Sequence, residues 1–434
     1  MPPLTYHTVD LAPGQSSAQA IAGHLLSLML RNVATEVYVF ADPVNAGVFS
    51  RPGCVIASPS YADHPAAVNQ DYIFNWTRDG AITAMELAAA PIDTTQALAD
   101  YVRFARACQT AGGAPIHRGA YRIDGRPRDG WSDQSDGPAL RVMAILRAWP
   151  RLDDGARATA TDVVAADLAC VLAEHRKPTT SLWEERHGAS FFARSVQLRC
   201  LSEIRANTLK LTVPPGVDDA IAWLQAHLDD DHWRDGRYVS VLEPPGGYDP
   251  NIDIVLAALH GAVAVTDPKL LATAAQIRAQ WSDPSAATCY RINQDDEARG
   301  IGPLLGRYPG DSYDGDTQDP DVVGHPWALC TAAFAELYYR VAKGAADHGA
   351  LPDDPLASAF FEQVGIAAAT PVPDAVQSLR DAGDRMLRAL IFHSDHLELS
   401  EQFDATTGYE KSVRNLTWSY ASFLSALRAR DELP

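Results

Sequence analysis

The sequence predicts an all-α protein, and three observations carry that prediction. Apolar residues recur at helical spacing in block after block, alternating strand patterns are almost absent, and polar loops bearing Gly and Pro separate the blocks. In order, the blocks fall at residues 18–30, 81–88, 95–109, 138–148, 156–175 and 183–211. They continue at 218–228, 252–263, 269–281, 326–341, 355–366, 374–392 and 418–430. A short extended piece, GCVIASPS at 53–60, precedes the second helix. About a dozen helices must bury their apolar faces against one another, and either a closed ring of helical hairpins or an irregular bundle would do so.

Composition sets the outer limits. The 434 residues are 47% apolar and 21% charged, with Gly and Pro spread rather than clustered, which describes one globular body over residues 1–434. A net charge of −19 opposes binding to nucleic acid or to anionic membranes, since both need basic patches. The expected partner is therefore neutral, and a monomer is expected. The opening MPPLTYHTVDLAPGQ has no basic region followed by an apolar run, so neither a signal peptide nor a spanning helix is expected, and the location is expected to be cytoplasmic.

Cys54, Cys108, Cys170, Cys200, Cys289 and Cys330 form no C-x-x-C pair and read as small buried hydrophobes in a reducing compartment. Asp311, Asp314, Asp316, Asp319 and Asp321 crowd one loop, but without the spacing and terminal Glu of a calcium loop they read as solvated. His260 and His325 are isolated and read as structural. No metal and no organic cofactor is expected.

The stretch SLWEERHGASFFARSVQLRCL at 181–201 is chemically the most pointed. It sets Glu184 and Glu185 directly after Trp183, at what reads as the first turn of the helix 183–211, where the dipole favours acids. An indole beside a carboxyl excludes water and offers a flat face to a sugar ring. Similar mixtures recur where other loops enter helices: Tyr72, Trp76, Arg78 and Asp79; Trp131 and Asp136; Arg307, Tyr308, Asp311 and Tyr313; Glu401 and Phe403; Trp418. Structural ion pairs and core caps could explain any one loop. Taken together, the loops have the composition of a carbohydrate site, where apolar ring faces stack and hydroxyls need paired donors and acceptors. Breaking a glycosidic bond needs one carboxyl to protonate the leaving oxygen and another to act on water or carbon. Glu184 is the candidate acid, because the indole and repulsion from Glu185 would raise its pKa, and Glu401 is the candidate base.

LWEE followed by GASFF, with YIFNWTRD, SDGPALR, GRYPGDSY, HPW and SEQFD leading to LTWSY, resembles the glucoamylase family of inverting glycosidases, glycoside hydrolase family fifteen. The resemblance runs from about GCVIASPS to the last helix. It implies an (α/α)6 barrel, an inner ring of helices inside an outer one. It also implies that Glu184 is the general acid and Glu401 the base, and that Arg78, Asp79 and Arg307 grip the hydroxyls of the terminal glucose. Tyr72, Trp76, Trp183, Glu185, Tyr313 and Trp418 would line the first subsites, and Trp131 would cover the acceptor side.

Three departures bear on the leaving group. Ser181 stands where fungal members carry an aspartate near the acid, the loop from Trp131 to Asp136 is one residue shorter than theirs, and extra residues lie between Asp311 and His325. The chain ends at Pro434, soon after the last helix, so no starch-binding module is expected and soluble malto-oligosaccharides are favoured over granules. The expected reaction is release of β-D-glucose from the non-reducing ends of α-glucans or malto-oligosaccharides. Its rivals are hydrolysis of trehalose, isomaltose or dextran on the same ring, and sugar binding without catalysis.

Overall fold

The computed structural model describes residues 17–60, 71–243, 246–315 and 324–434. Along the chain run α1 (Ser17–Leu30), α2 (Thr77–Ala89), α3 (Thr95–Thr110), α4 (Asp136–Ala148), α5 (Asp154–Glu174), α6 (Phe191–Ala206) and α7 (Val217–His232). They are followed by α8 (Asp253–His260), α9 (Pro268–Ser282), α10 (Arg291–Arg299), α11 (Ala328–His348), α12 (Ser358–Glu362), α13 (Val372–His393) and α14 (Thr417–Asp431).

Their contacts close a ring. α2 packs on α4, α4 on α6, α6 on α8, α8 on α11, α11 on α14, and α14 back on α2. Outside it α1 lies against α14, α3 against α2, α5 against α4, α7 against α6, α9 against α8 and α13 against α11. The architecture is an (α/α)6 barrel.

The sequence encodes which ring a helix joins. In α11 every residue from Ala328 to Tyr339 is buried, as a helix walled in on all sides requires. α13 instead buries Ala375, Val376, Leu379, Met386, Leu387 and Leu390, a single stripe at helical spacing, and belongs to the outer ring. Local caps fix the starts: Asp153 accepts from the Ala156 amide at α5, and Asp267 accepts from two amides at α9, with Pro268 following it.

Three segments depart from the sequence expectation. The helix expected at 183–211 begins only at Phe191, so Glu184 and Glu185 lie in a turn upstream of α6 and not in its first turn. The expected helix at 355–366 is a single 3-10 turn, Pro355–Ala357, joined to the short α12. α10 was not expected, because RINQDDEAR has no apolar stripe and buries only Ile292, Asn293 and Asp296.

Four two-residue antiparallel ladders complete the described structure: β1 (Asn75–Trp76) with β2 (Ala120–Tyr121), β3 (Thr179–Thr180) with β4 (His187–Gly188), β5 (Trp233–Arg234) with β6 (Arg237–Tyr238), and β7 (Gln402–Phe403) with β8 (Glu410–Lys411). All six cysteines are free thiols, four of them buried. No helix among the described residues is long and apolar enough to cross a membrane.

Candidate active site

The inner helices begin at one pole of the barrel. There a cavity of about 460 Å³ is lined by all twelve residues to which the family resemblance gave a role: Tyr72, Trp76, Arg78, Asp79, Trp131, Trp183, Glu184, Glu185, Arg307, Tyr313, Glu401 and Trp418. Arg78 and Asp79 lie in the first turn of α2, and Trp418 in that of α14. The segment around Ala57 straps these parts together. Its Ala57 amide donates to the Phe74 carbonyl, the Ser58 amide to that of Tyr72, and the Thr417 amide donates to Ala57.

Glu184 sits between β3 and β4 with φ of 65°, in the left-handed region. Its amide donates to the Ser181 carbonyl, closing the turn. The Trp76 Nε1 donates to Glu184 Oε1 at 2.8 Å, and Arg78 Nη2 lies 3.4 Å from the same oxygen. Arg78 also pairs with Asp136 at 3.2 Å and lies 3.8 Å from Asp79. Burial pushes the Glu184 pKa up, Arg78 opposes this, and the charges of Asp79 and Asp136 push it further upward.

The carboxylates that raise the Glu184 pKa most are Asp79 and Asp136, not the neighbouring Glu185 expected from the sequence. Glu185 accepts from Arg307 Nη2 at 2.8 Å and from the Tyr308 hydroxyl, while Glu184 meets Trp76 and Arg78. The left-handed turn sends two neighbouring acids to different partners. Ser181 brings no charge and bonds the Tyr248 hydroxyl at 3.1 Å.

Glu401 has other company. Tyr72 donates to its Oε1 at 2.9 Å, while Tyr313 and Ser412 donate to Oε2 at 3.1 and 2.5 Å. Burial raises its pKa, and the hydroxyl donors, with the charge of Arg307, hold it down. Ser412 follows β8, whose pairing with β7 brings it back against Glu401. Gly315 makes that approach possible, since a Cβ there would stand 1.9 Å from Ser412 Oγ.

The closed end of the cavity is charged and paired. Arg307 donates to both oxygens of Asp311 at 2.8 and 2.6 Å, and its guanidinium lies over the rings of Trp327, Tyr313 and Trp183 at 4.8, 5.2 and 5.3 Å. Trp183 Nε1 donates to Asn251 at 2.9 Å. Burial lifts Asp79 to about 6 against the pull of Arg78. Arg78 Nε, Trp327 Nε1 and Trp418 Nε1 are buried and have no hydrogen-bond partner within the protein.

Sequence reasoning missed several of the lining residues. Trp327 lay within the quoted HPW motif, which was a usable signal. Asp71 and Arg128 also line the cavity, and Ser412 donates to Glu401, with no pattern to mark them. In the acidic loop, Asp311 pairs with Arg307 and Asp314 with Lys411 at 3.2 Å, while Asp316, Asp319 and Asp321 lie outside the described residues. Among the described residues no group of three or more His, Cys, Asp and Glu side chains could hold a metal ion. His325 Nδ1 accepts from the Ala405 amide at 3.1 Å, a structural role.

Residues 25–428 match the family model "Glycosyl hydrolases family 15". Curated relatives include a glucoamylase of Blastobotrys adeninivorans, 27% identical over 88% of this chain and 68% of the relative. A probable glucoamylase of Schizosaccharomyces pombe is also 27% identical, over 88% of this chain and 86% of its own length. Among solved structures, the Saccharomycopsis fibuligera glucoamylase superposes with a TM-score of 0.80 at 21% identity, covering 99% of this chain and 98% of that one. The family 15 glucoamylase of Hypocrea jecorina gives 0.77 at 25% identity, over 94% and 70%. The chain belongs to glycosyl hydrolase family 15 and is a glycoside hydrolase.

Proposed function

We propose that this family 15 member is an exo-acting, inverting hydrolase that removes β-D-glucose from the non-reducing ends of α-glucans or malto-oligosaccharides. One observation carries the proposal: two carboxyls, Glu184 and Glu401, line a single cavity in unlike surroundings. Glu184 has carboxylates nearby and favours its proton, as an acid must. Glu401 receives three hydroxyl hydrogen bonds that favour its ionised form, as a base must.

In the proposed reaction Glu184 delivers its proton to the glycosidic oxygen as the bond to the anomeric carbon breaks. Glu401 takes a proton from the water that attacks the opposite face of that carbon, so the glucose leaves as the β-anomer. Arg78, Asp79 and Arg307 hold hydroxyls of the terminal glucose, and Trp183, Trp327 and Trp418 enclose its ring and exclude water. The relatives named glucoamylase support an α-glucan substrate.

Anomer-resolved proton NMR during early turnover of maltotriose tests the mechanism. β-Glucose is expected first, and α-glucose first would overturn it. Rates on maltose, isomaltose and trehalose decide the linkage, because the shortened 131–136 loop starts at Trp131, which lines the cavity. Any glucose release excludes a purely sugar-binding role.

A further inference from the structure

We propose that Arg128 is a positioning residue that fixes the Trp131 indole on the leaving-group side of the pocket and so sets how well the enzyme holds the departing sugar. This rests on the reading of Glu184 as the acid, since the sugar beyond the protonated oxygen lies past that residue.

Arg128 is clamped between two rings. Its guanidinium carbon lies 3.7 Å from the Trp131 ring centroid and 4.0 Å from that of Phe74, and Nη2 pairs with Asp71 at 3.2 Å. Nη1 is buried, with no hydrogen-bond partner within the protein and almost no accessible surface. A direct contact from that atom to a substrate hydroxyl would require the clamp to open, so Arg128 acts through the rings it touches. Trp131 needs such a clamp, since its Nε1 also makes no hydrogen bond.

The clamp leads back to the acid. Trp131 meets Trp76 edge to face at 5.6 Å, and Trp76 donates to Glu184. Depth separates this flank from the glucose-holding end. The side chain of Asp71 is 37% exposed and that of Arg128 14%, against 6%, 7% and 3% for Arg78, Asp79 and Arg307. A planar cation gripped by two rings is a task Lys cannot perform, because its ammonium is a point charge without a stacking plane. Because Asp71 neutralises Arg128, the flank suits an uncharged, hydroxylated leaving group.

The test uses the full chain with two substrates: maltotriose, whose leaving group is a sugar, and α-D-glucosyl fluoride, whose leaving group occupies no sugar subsite. In Arg128→Met the ratio of kcat/KM on maltotriose to that on the fluoride is expected to fall about tenfold, as small misplacements of a positioning group do. Arg128→Lys is expected to show a similar fall, and it serves as the readout should the Met variant fold poorly. Trp131→Ala is expected to lower the same ratio, with no further fall when combined with Arg128→Met. Equal losses on both substrates, full recovery by Lys, or additive losses in the double variant would overturn the proposal while leaving the hydrolase reading intact. A wild-type protein that cleaves neither substrate would overturn that reading, and this inference with it.

Discussion

The Glu184 corner and the Glu401 corner of the pocket, the proposed acid and base, hold the same kind of side chain and treat it differently. Glu184 lies on a left-handed turn, 19% exposed, with one indole N–H, a long contact to Arg78, and Asp79 and Asp136 nearby. Glu401 precedes a ladder, is buried, and takes hydrogen bonds from Tyr72, Tyr313 and Ser412. Burial raises both pKa values, so burial by itself cannot assign the roles. The neighbours favour the proposed roles: hydroxyl donors stabilise a carboxylate, and adjacent carboxylates stabilise a proton.

The largest test of this contrast replaces each acid. Glu184→Gln and Glu401→Gln are each expected to lower kcat on maltotriose by about 10³-fold without changing the melting temperature much. On α-glucosyl fluoride, whose departure needs little protonation, Glu401→Gln should keep its full loss and Glu184→Gln should recover most of its activity. Equal losses on the fluoride would erase the distinction between the corners.

Ser412→Ala sharpens the base side. Losing one hydrogen bond to a charged group is expected to cost about tenfold in kcat. The Ser412 hydroxyl lowers the Glu401 pKa, so its removal raises that pKa and moves the acid limb of the pH–rate profile to higher pH.

On the acid side, Asp79→Asn removes a charge that raises the Glu184 pKa, so the alkaline limb should move to lower pH even where the rate itself has dropped. The same variant has a stability signature. Burial holds Asp79 at about 6 against an ordinary 3.8, which favours the protonated form in the fold. Its contribution to stability therefore falls as pH rises from 3.8 through about 6, and Asn should flatten that decline in thermal melts. The smallest effect is expected from Trp76→Phe. It removes a donor that lowers the Glu184 pKa, and the alkaline limb should drift slightly upward.

The pocket was legible because aromatic and charged residues recur in loops that precede helices, and such loops share one pole of a ring. Trp76, Arg78, Asp79 and Trp418 could be placed there from spacing and motif. Ser412 could not, since a serine in KSVRN has no periodic or chemical mark, and only the β7–β8 ladder turns it toward Glu401. Arg128 was hidden for a similar reason: RPRDGW reads as a turn, and the stacking between Phe74 and Trp131 needs Phe74, which is distant in the chain. The overlong helix at 183–211 arose because apolar spacing within α6 was extended back through a turn that periodicity does not see.

The sequence by itself determined the helices, their apolar stripes and the two acids, because periodicity and composition are local properties carried by neighbours a few positions apart. Ring closure, the separate partners of Glu184 and Glu185, and the unlike surroundings of Glu184 and Glu401 were decided only in three dimensions. Tyr72 reaches Glu401 across 329 positions and Trp76 reaches Glu184 across 108. Hydrogen bonds and charges act over a few ångströms, so a carboxyl's chemistry follows from whichever distant residues the packed barrel brings beside it.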